Sequence, residues 1–366
     1  MASSTLFTQA ESKTLDAIAL SSKLSESAER AATYLESKLQ SNGSYGSEAK
    51  DIACYFKSPM MYLAANKPGA ALATLNYIKS AFMTSDGDFK TSSSVKSVNG
   101  AYIEYWSYTN GWIIRAANQL GITSISEPAT KYLSQYYMGK EIGFVTNELS
   151  ILPQMTDVLT IAHHALISLE KNNLEIAIPA GQFLCDVLKK QPNLKKGFYL
   201  RVDKERCLLT DFPETKKPFY YISSSEPNQL HFMIGYPAAY LAILYKKTQN
   251  IDFLDAAKSY LDFSLSCDKS VYACDFSHKL AWAASLIYEC TGDVKYLEVI
   301  NRISNYFIEK QDQALWFSDD INNSYDQSAE IACWFLDIVK NINAFNKNPS
   351  LEAGLTNTPA SPFSSK

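Results

Sequence analysis

Segments apolar on nearly every face alternate along this chain with segments that carry only an apolar stripe, and few folds accommodate that alternation. Leu280 to Tyr288 (LAWAASLIY) has almost no polar face, so as a helix it must be enclosed all round. The next segment, Val294 to Glu309, puts Leu297, Ile300, Ile303, Phe307 and Ile308 on one side. Lys295, Glu298, Arg302, Asn305 and Glu309 fill the other side, as in a helix half in water. Repeated along most of the chain, this predicts two concentric layers of helices around a central cavity, and the cavity is where function would sit.

The segments come in pairs. Asp51–Asn66 precedes amphipathic Gly69–Phe82, and Ala101–Leu120 precedes Ser126–Tyr137. Asp157–Lys171 precedes Leu174–Lys190, Leu230–Lys247 precedes Ile251–Leu265, and Ser277–Cys290 precedes Val294–Glu309. Tyr325–Asn341 has no successor, and the N-terminal stretch Leu15–Leu39 is expected to serve as its partner, closing a ring of six hairpins and twelve helices. Tyr245 to Leu254 matches Tyr288 to Leu297 at a constant offset of 43, sharing a Tyr, a Thr and a Leu at the turn from inner to outer helix. Turns with Gly beside an aromatic follow several outer helices, as in Gly87-Asp88-Phe89, Gly143-Phe144 and Gly197-Phe198-Tyr199. Strand signals are confined to Gly197–Val202 and Phe219–Ser223. Residues 1–345 read as one barrel domain. Pro192 to Asn228 reads as a lid or mouth loop, and 346–366, rich in Pro, Ser, Thr and Asn, as a disordered tail.

This pattern resembles the (α/α)6 toroid, or six-hairpin, superfamily. That group holds terpenoid cyclase-like proteins, N-acylglucosamine epimerases and several glycoside hydrolases and lyases. The resemblance is architectural and covers about residues 15–345. The DxDD, QxxxGxW and DDxxD motifs of terpene cyclases are absent, so no catalytic residue carries over by motif.

A formal charge of −4 leaves no basic face for nucleic acid, and no apolar run is long enough for a membrane span. The seven cysteines are odd in number, scattered and without a CxxC pair, which argues against zinc or dithiol chemistry and for a reducing, cytoplasmic compartment. No nucleotide-cofactor, hydrolase-elbow or HExxH motif occurs, so the expectation is a small-molecule substrate with neither cofactor nor metal.

In such rings the loops entering the inner helices gather at one mouth. The starts of the inner segments offer Asp51, Asp157, His231, His278 and Asp326 as acid–base groups. Tyr55, Tyr102, Tyr105, Tyr108, Asn110, Tyr236, Asp275, Trp282, Glu330 and Trp334 are offered as substrate contacts. The same residues have plainer readings. Asp51, Asp157 and Asp326 suit helix N-caps, His231 suits a core, and His278 suits a capping turn. Tyr102, Tyr105 and Tyr108 form an i, i+3, i+6 stripe that suits either aromatic packing or a cavity wall. His163 and His164 are adjacent on a helix and cannot both face one ligand.

Three functions fit. The first is a cofactor-independent cyclase, isomerase or lyase acting on a largely apolar molecule such as a terpenoid or polyketide, favoured by the sparse charge of the inner helices. The second is a carbohydrate-active enzyme, a sugar epimerase or a glycoside hydrolase or lyase, which would need more buried polar groups than the sequence reveals. The third is a non-catalytic helical scaffold, which ring closure would count against.

Overall fold

The computed structural model describes residues 2–347, with side chains from Asp16 onward, so the tail expected at 346–366 lies almost wholly outside the described residues. The helices are α1 (Ala2–Lys38), α2 (Ser58–Ala64), α3 (Pro68–Phe82), α4 (Ala101–Glu104), α5 (Tyr108–Gln119), α6 (Thr123–Ser134), α7 (Val158–Glu170), α8 (Leu174–Lys189), α9 (Lys217–Tyr220), α10 (Phe232–Thr248), α11 (Ile251–Leu265), α12 (His278–Thr291), α13 (Val294–Lys310) and α14 (Ile321–Asn346).

The buried segments form the inner layer. Every residue from His278 to Tyr288 in α12 is buried, whereas α13 exposes Lys295, Glu298, Arg302 and Glu309 and buries Leu297, Ile300, Ile303 and Phe307. Around the centre α2 packs on α5, α5 on α7, α7 on α10, α10 on α12, α12 on α14, and α14 back on α2, which closes a ring. Outside it, α3, α6, α8, α11 and α13 each pack on the inner helix before them, and α1 packs on α14 as expected for ring closure. The internal repeat is the inner-to-outer turn itself. Gln249 (φ 59°) and Gly292 (φ 65°) end α10 and α12 in the left-handed conformation, each N–H reaching back to Tyr245 or Tyr288, and Asn250 and Asp293 then cap the outer helices.

Two inner segments start later than their sequence pattern suggests. Pro59 marks the true start of the first at α2, while Asp51 caps a short 3-10 turn at Ile52–Cys54. The segment Ala101–Leu120 breaks at residues 105–107, where Tyr105 leaves helical geometry and the Trp106 N–H bonds the Thr146 carbonyl. The strands are minimal: β1 (Thr156–Asp157) pairs with β3 (Arg201–Val202), and β2 (Gly197–Tyr199) with β4 (Tyr221–Ser223), all antiparallel. β2, β3, α9 and β4 belong to the long insertion, which places Phe219 edge-on to Tyr105 at the wall of a cavity. Among the described residues, no helix is long and apolar enough to cross a membrane.

Candidate active site

All six inner helices run in one direction: one cavity is lined from their N-terminal sides and another by residues further along each helix. The cavity at the N-terminal end has a volume of about 290 Å³. Tyr102, Tyr105, Tyr108, Phe219, Phe232 and Phe276 form its walls, and charged groups are set into it: Lys57, His278, Lys279, Asp326 and Glu330. The tyrosine stripe reaches one cavity although the helix carrying it is broken.

Glu330 is the hub. It is fully buried on α14, and its Oε1 receives Lys279 Nζ at 2.7 Å, Tyr108 Oη at 3.1 Å and Trp334 Nε1 at 3.3 Å. Its Oε2 receives Lys57 Nζ at 2.7 Å and lies 3.5 Å from His278 Nε2. Burial alone would favour the neutral acid, but Lys279 and Lys57 outweigh it and hold the carboxyl well below its usual range. Asp326, one helical turn earlier, pairs through Oδ1 with the Lys57 ammonium at 2.9 Å and accepts at Oδ2 from Tyr102 Oη at 3.0 Å and Gln327 Nε2 at 2.8 Å. Burial raises its pKa, against the pull of Lys57. Burial also opposes the Lys57 ammonium, but Asp326 and Glu330 prevail and keep it charged.

Lys279 differs from Lys57. Burial lowers its pKa, and Glu330 only partly restores it while Lys57 repels it, leaving it near 8. Its Nζ lies 3.1 Å from His278 Nε2. Burial and the neighbouring ammonium push the His278 pKa down to about 4, so the ring is neutral at pH 7. With Nε2 accepting from the ammonium, the ring proton belongs on Nδ1, which has no partner among the described residues. Gly235 on α10 allows this arrangement. A Cβ there would lie 2.7 Å from the Lys279 carbonyl carbon and 2.8 Å from its Cβ. Gly235→Ala should therefore push α10 off α12, destabilise the fold by roughly 1–3 kcal/mol and displace Lys279. A urea titration together with a turnover assay measures both effects.

The remaining sequence candidates lie elsewhere. Asp51 is outside the cavity. Its carboxylate accepts from the Ala53 and Val98 N–H groups and from the Thr91 and Ser97 hydroxyls, at 2.7–2.9 Å. Asp157 caps α7 through the Leu159 N–H at 2.7 Å, beside Arg201, with its pKa raised by burial to about 6. His231 is buried just ahead of α10, neither ring nitrogen has a hydrogen-bond partner among the described residues, and it does not line the cavity. Tyr55 is tied to Ala49 and Tyr45, Asn110 to Lys96, and Asp275 to Tyr306. Tyr236, Trp282 and Trp334 lie beneath the cavity. Tyr236 bonds Tyr108 at 2.9 Å, and the two indoles stack with centroids 3.9 Å apart. His163 and His164 anchor the start of α5 through the Tyr108 carbonyl and the Ser107 hydroxyl. Lys57 stands among the groups at the start of the first inner segment but was given no role, and Lys279 was not among the candidates, although a lone lysine in an apolar run has no polar face to occupy and must find a buried partner. Among the described residues no cluster of His, Cys, Asp and Glu is arranged to hold a metal ion.

No family model and no curated protein matches the sequence. Solved structures do match the fold. A D-mannose isomerase superposes with a TM-score of 0.62 at 13% identity, covering 86% of this chain and 96% of that one. The chain is an (α/α)6 toroid. The GH76A α-1,6-mannanase from Salegentibacter sp. HEL1_6 superposes at 0.52, with 11% identity and 87% and 98% covered. An unsaturated glucuronyl hydrolase specific for heparin also gives 0.52, at 11% identity with 90% and 98% covered. The named neighbours act on carbohydrates, and nothing among them supports the terpenoid cyclase expectation.

Proposed function

We propose that this toroid is a carbohydrate-active enzyme that moves a proton next to the carbonyl of a single free sugar, as an aldose–ketose isomerase or an epimerase does. The observation that carries this reading is the His278–Lys279 pair: a neutral imidazole hydrogen-bonded to a buried ammonium in a cavity with room for one small molecule. In this reading the sugar carbonyl draws the Lys279 ammonium away from His278 Nε2, and the lone pair so freed takes the proton from the carbon beside the carbonyl. The Lys279 ammonium, with Lys57 as a fixed charge, stabilises the enediolate oxygen. The aromatic walls stack on the apolar faces of the sugar. The buried polar groups that a sugar site needs are supplied by the two lysines and two carboxylates.

A glycosidase is less well served. Asp326 and Glu330 are i, i+4 on one helix and both bind Lys57, whereas glycoside hydrolysis needs two carboxyl groups flanking the scissile bond. The likeness to the D-mannose isomerase supports the same choice, being higher than those to the mannanase and the glucuronyl hydrolase.

The test is a panel of free aldoses, ketoses and N-acyl sugars beside α-linked oligosaccharides, followed by chromatography. Interconversion of free sugars is expected, and release of units from an oligosaccharide would overturn the reading. The pH profile should be a bell. Activity requires His278 without its proton, so it rises through about pH 4, and Lys279 with its proton, so it falls above about pH 8. His278→Ala should lose roughly 10²–10⁴ in kcat with an unchanged circular dichroism spectrum at pH 7.

A further inference from the structure

The opposite end of the ring holds a second and larger cavity, of about 620 Å³, formed where the inner helices end. Its floor is apolar and aromatic: the stacked Trp282 and Trp334, with Met60, Leu166 and Leu286 beside them. Its rim is charged. The lining carries Arg115, Lys246, Lys247 and Lys340 against Glu170 and Asp337, and with Lys246 neutralised by Glu289 outside the lining, three cations oppose two carboxylates in a chain whose formal net charge is −4.

Those charges are unevenly used. Lys246 pairs with Glu289 at 2.5 Å, and Arg115 binds Glu170 through Nε at 2.8 Å and Nη2 at 2.6 Å. Lys247 and Lys340 are exposed and have no ion-pair partner among the described residues. Arg115 is only 7% exposed, yet its Nη1 finds no hydrogen-bond acceptor among the described residues. A buried guanidinium N–H without an acceptor is costly.

Cations at this end also complement the carbonyl ends of the inner helices. That explains exposed lysines on last turns. It does not explain a cavity large enough for a ligand, or a buried arginine at its wall with one arm unpaired. Cationic rim and aromatic floor together select a molecule with an anionic head and an apolar body.

We propose that this cavity binds a small organic anion, a carboxylate or a phosphate ester, with its head among Arg115, Lys247 and Lys340 and its body against the Trp282–Trp334 pair. The site is distinct from the sugar cavity, and the two share one wall. Trp334, which the ligand would touch, donates its indole N–H to Glu330, the hub of the first site.

The test is titration of the full-length protein with 3-phenylpropanoate and with phenyl phosphate, by calorimetry and by tryptophan fluorescence. Their neutral counterpart is 3-phenylpropanamide, and inorganic phosphate is the head group alone. At least one of the two anions should saturate a single site and perturb the fluorescence, binding roughly tenfold or more tighter than the amide. Added salt should weaken it. The double variant Lys247→Glu/Lys340→Glu changes only exposed positions, so it should fold, and it should weaken the anion by roughly tenfold or more. Arg115→Gln is the sharper probe, but it strips Glu170 of its partner and risks the fold, so the lysine variant carries the decision. Equal affinity for acid and amide, undiminished binding by the double variant, or no saturation at millimolar anion would each overturn the proposal. Tighter binding of inorganic phosphate than of either aromatic anion would do so as well, because the indole floor would then play no part.

Discussion

Glu330→Gln is expected to be the most damaging single substitution in this protein. The side chain keeps its shape and loses its charge, leaving Lys57 and Lys279 buried with only Asp326 as counter-charge. Breaking a buried ion pair from one side costs about 3–5 kcal/mol, so the urea midpoint should fall well below that of the parent. Catalysis should suffer separately. Glu330 touches no reacting atom in the proposed chemistry; it positions the two lysines and sets the charge on one of them. Its carboxylate is what keeps the Lys279 pKa as high as about 8 against burial, so in the variant Lys279 should give up its proton at lower pH. The alkaline limb of the activity profile should move towards neutrality, which a merely structural residue would not cause. An activity loss at all pH values with an unmoved alkaline limb would show that Glu330 does not govern Lys279.

The second large effect is acid lability. All four histidines are buried, and burial is the largest cause of the lowered pKa in each. An unfolded chain takes up protons on these rings below about pH 6.5, whereas the folded chain does not. Stability is therefore fully present above that pH and is lost as the pH falls from 6.5 towards the lower folded values, which are about 4 for His231 and His278 and about 3 for His164. Each ring contributes about 1.4 kcal/mol per pH unit over that range, up to roughly 5 kcal/mol per unit for the four together. Asp157, whose folded pKa of about 6 lies above the unfolded value, acts with the opposite sign and offsets one ring. The melting temperature should drop by roughly 10 °C between pH 7 and pH 5. A flat melting temperature across that range would mean that the rings are not held neutral.

The ring was legible in the sequence because burial on every face leaves a mark that few structures share. A run such as Leu280–Tyr288 belongs only at a centre, and the amphipathic helix after it only at a surface. The offset of 43 was legible because the same left-handed cap recurs at Gln249 and Gly292. The sequence placed its site candidates at the helix starts, and a cavity lies at that end. Tyr102, Tyr105, Tyr108, His278, Asp326 and Glu330 do meet in one cavity. Asp51, Asp157, Asn110, His231 and Asp275 lie equally near segment starts but are turned to caps, to an interior lysine, to the core or to an outer tyrosine. Which way a first turn faces depends on how each helix is rotated about its axis, and packing across the ring decides that. The roles of Lys57 and Lys279 were hidden for a related reason. Their partner Glu330 is 273 residues from one of them, and no local pattern joins them. The apolar substrate expected from the low charge of the inner helices rested on the same gap, since Lys57, His278, Lys279, Asp326 and Glu330 converge on one cavity.

The proton-transfer reading is tested most directly by solvent exchange. Free sugars, mannose among them, are incubated with the protein in deuterium oxide and followed by proton NMR. Enzyme-dependent loss of the proton beside the carbonyl of one sugar is the expected result, retained in Asp51→Asn and lost in His278→Ala. Absence of exchange in every free sugar tested, or exchange that survives in His278→Ala, would contradict it.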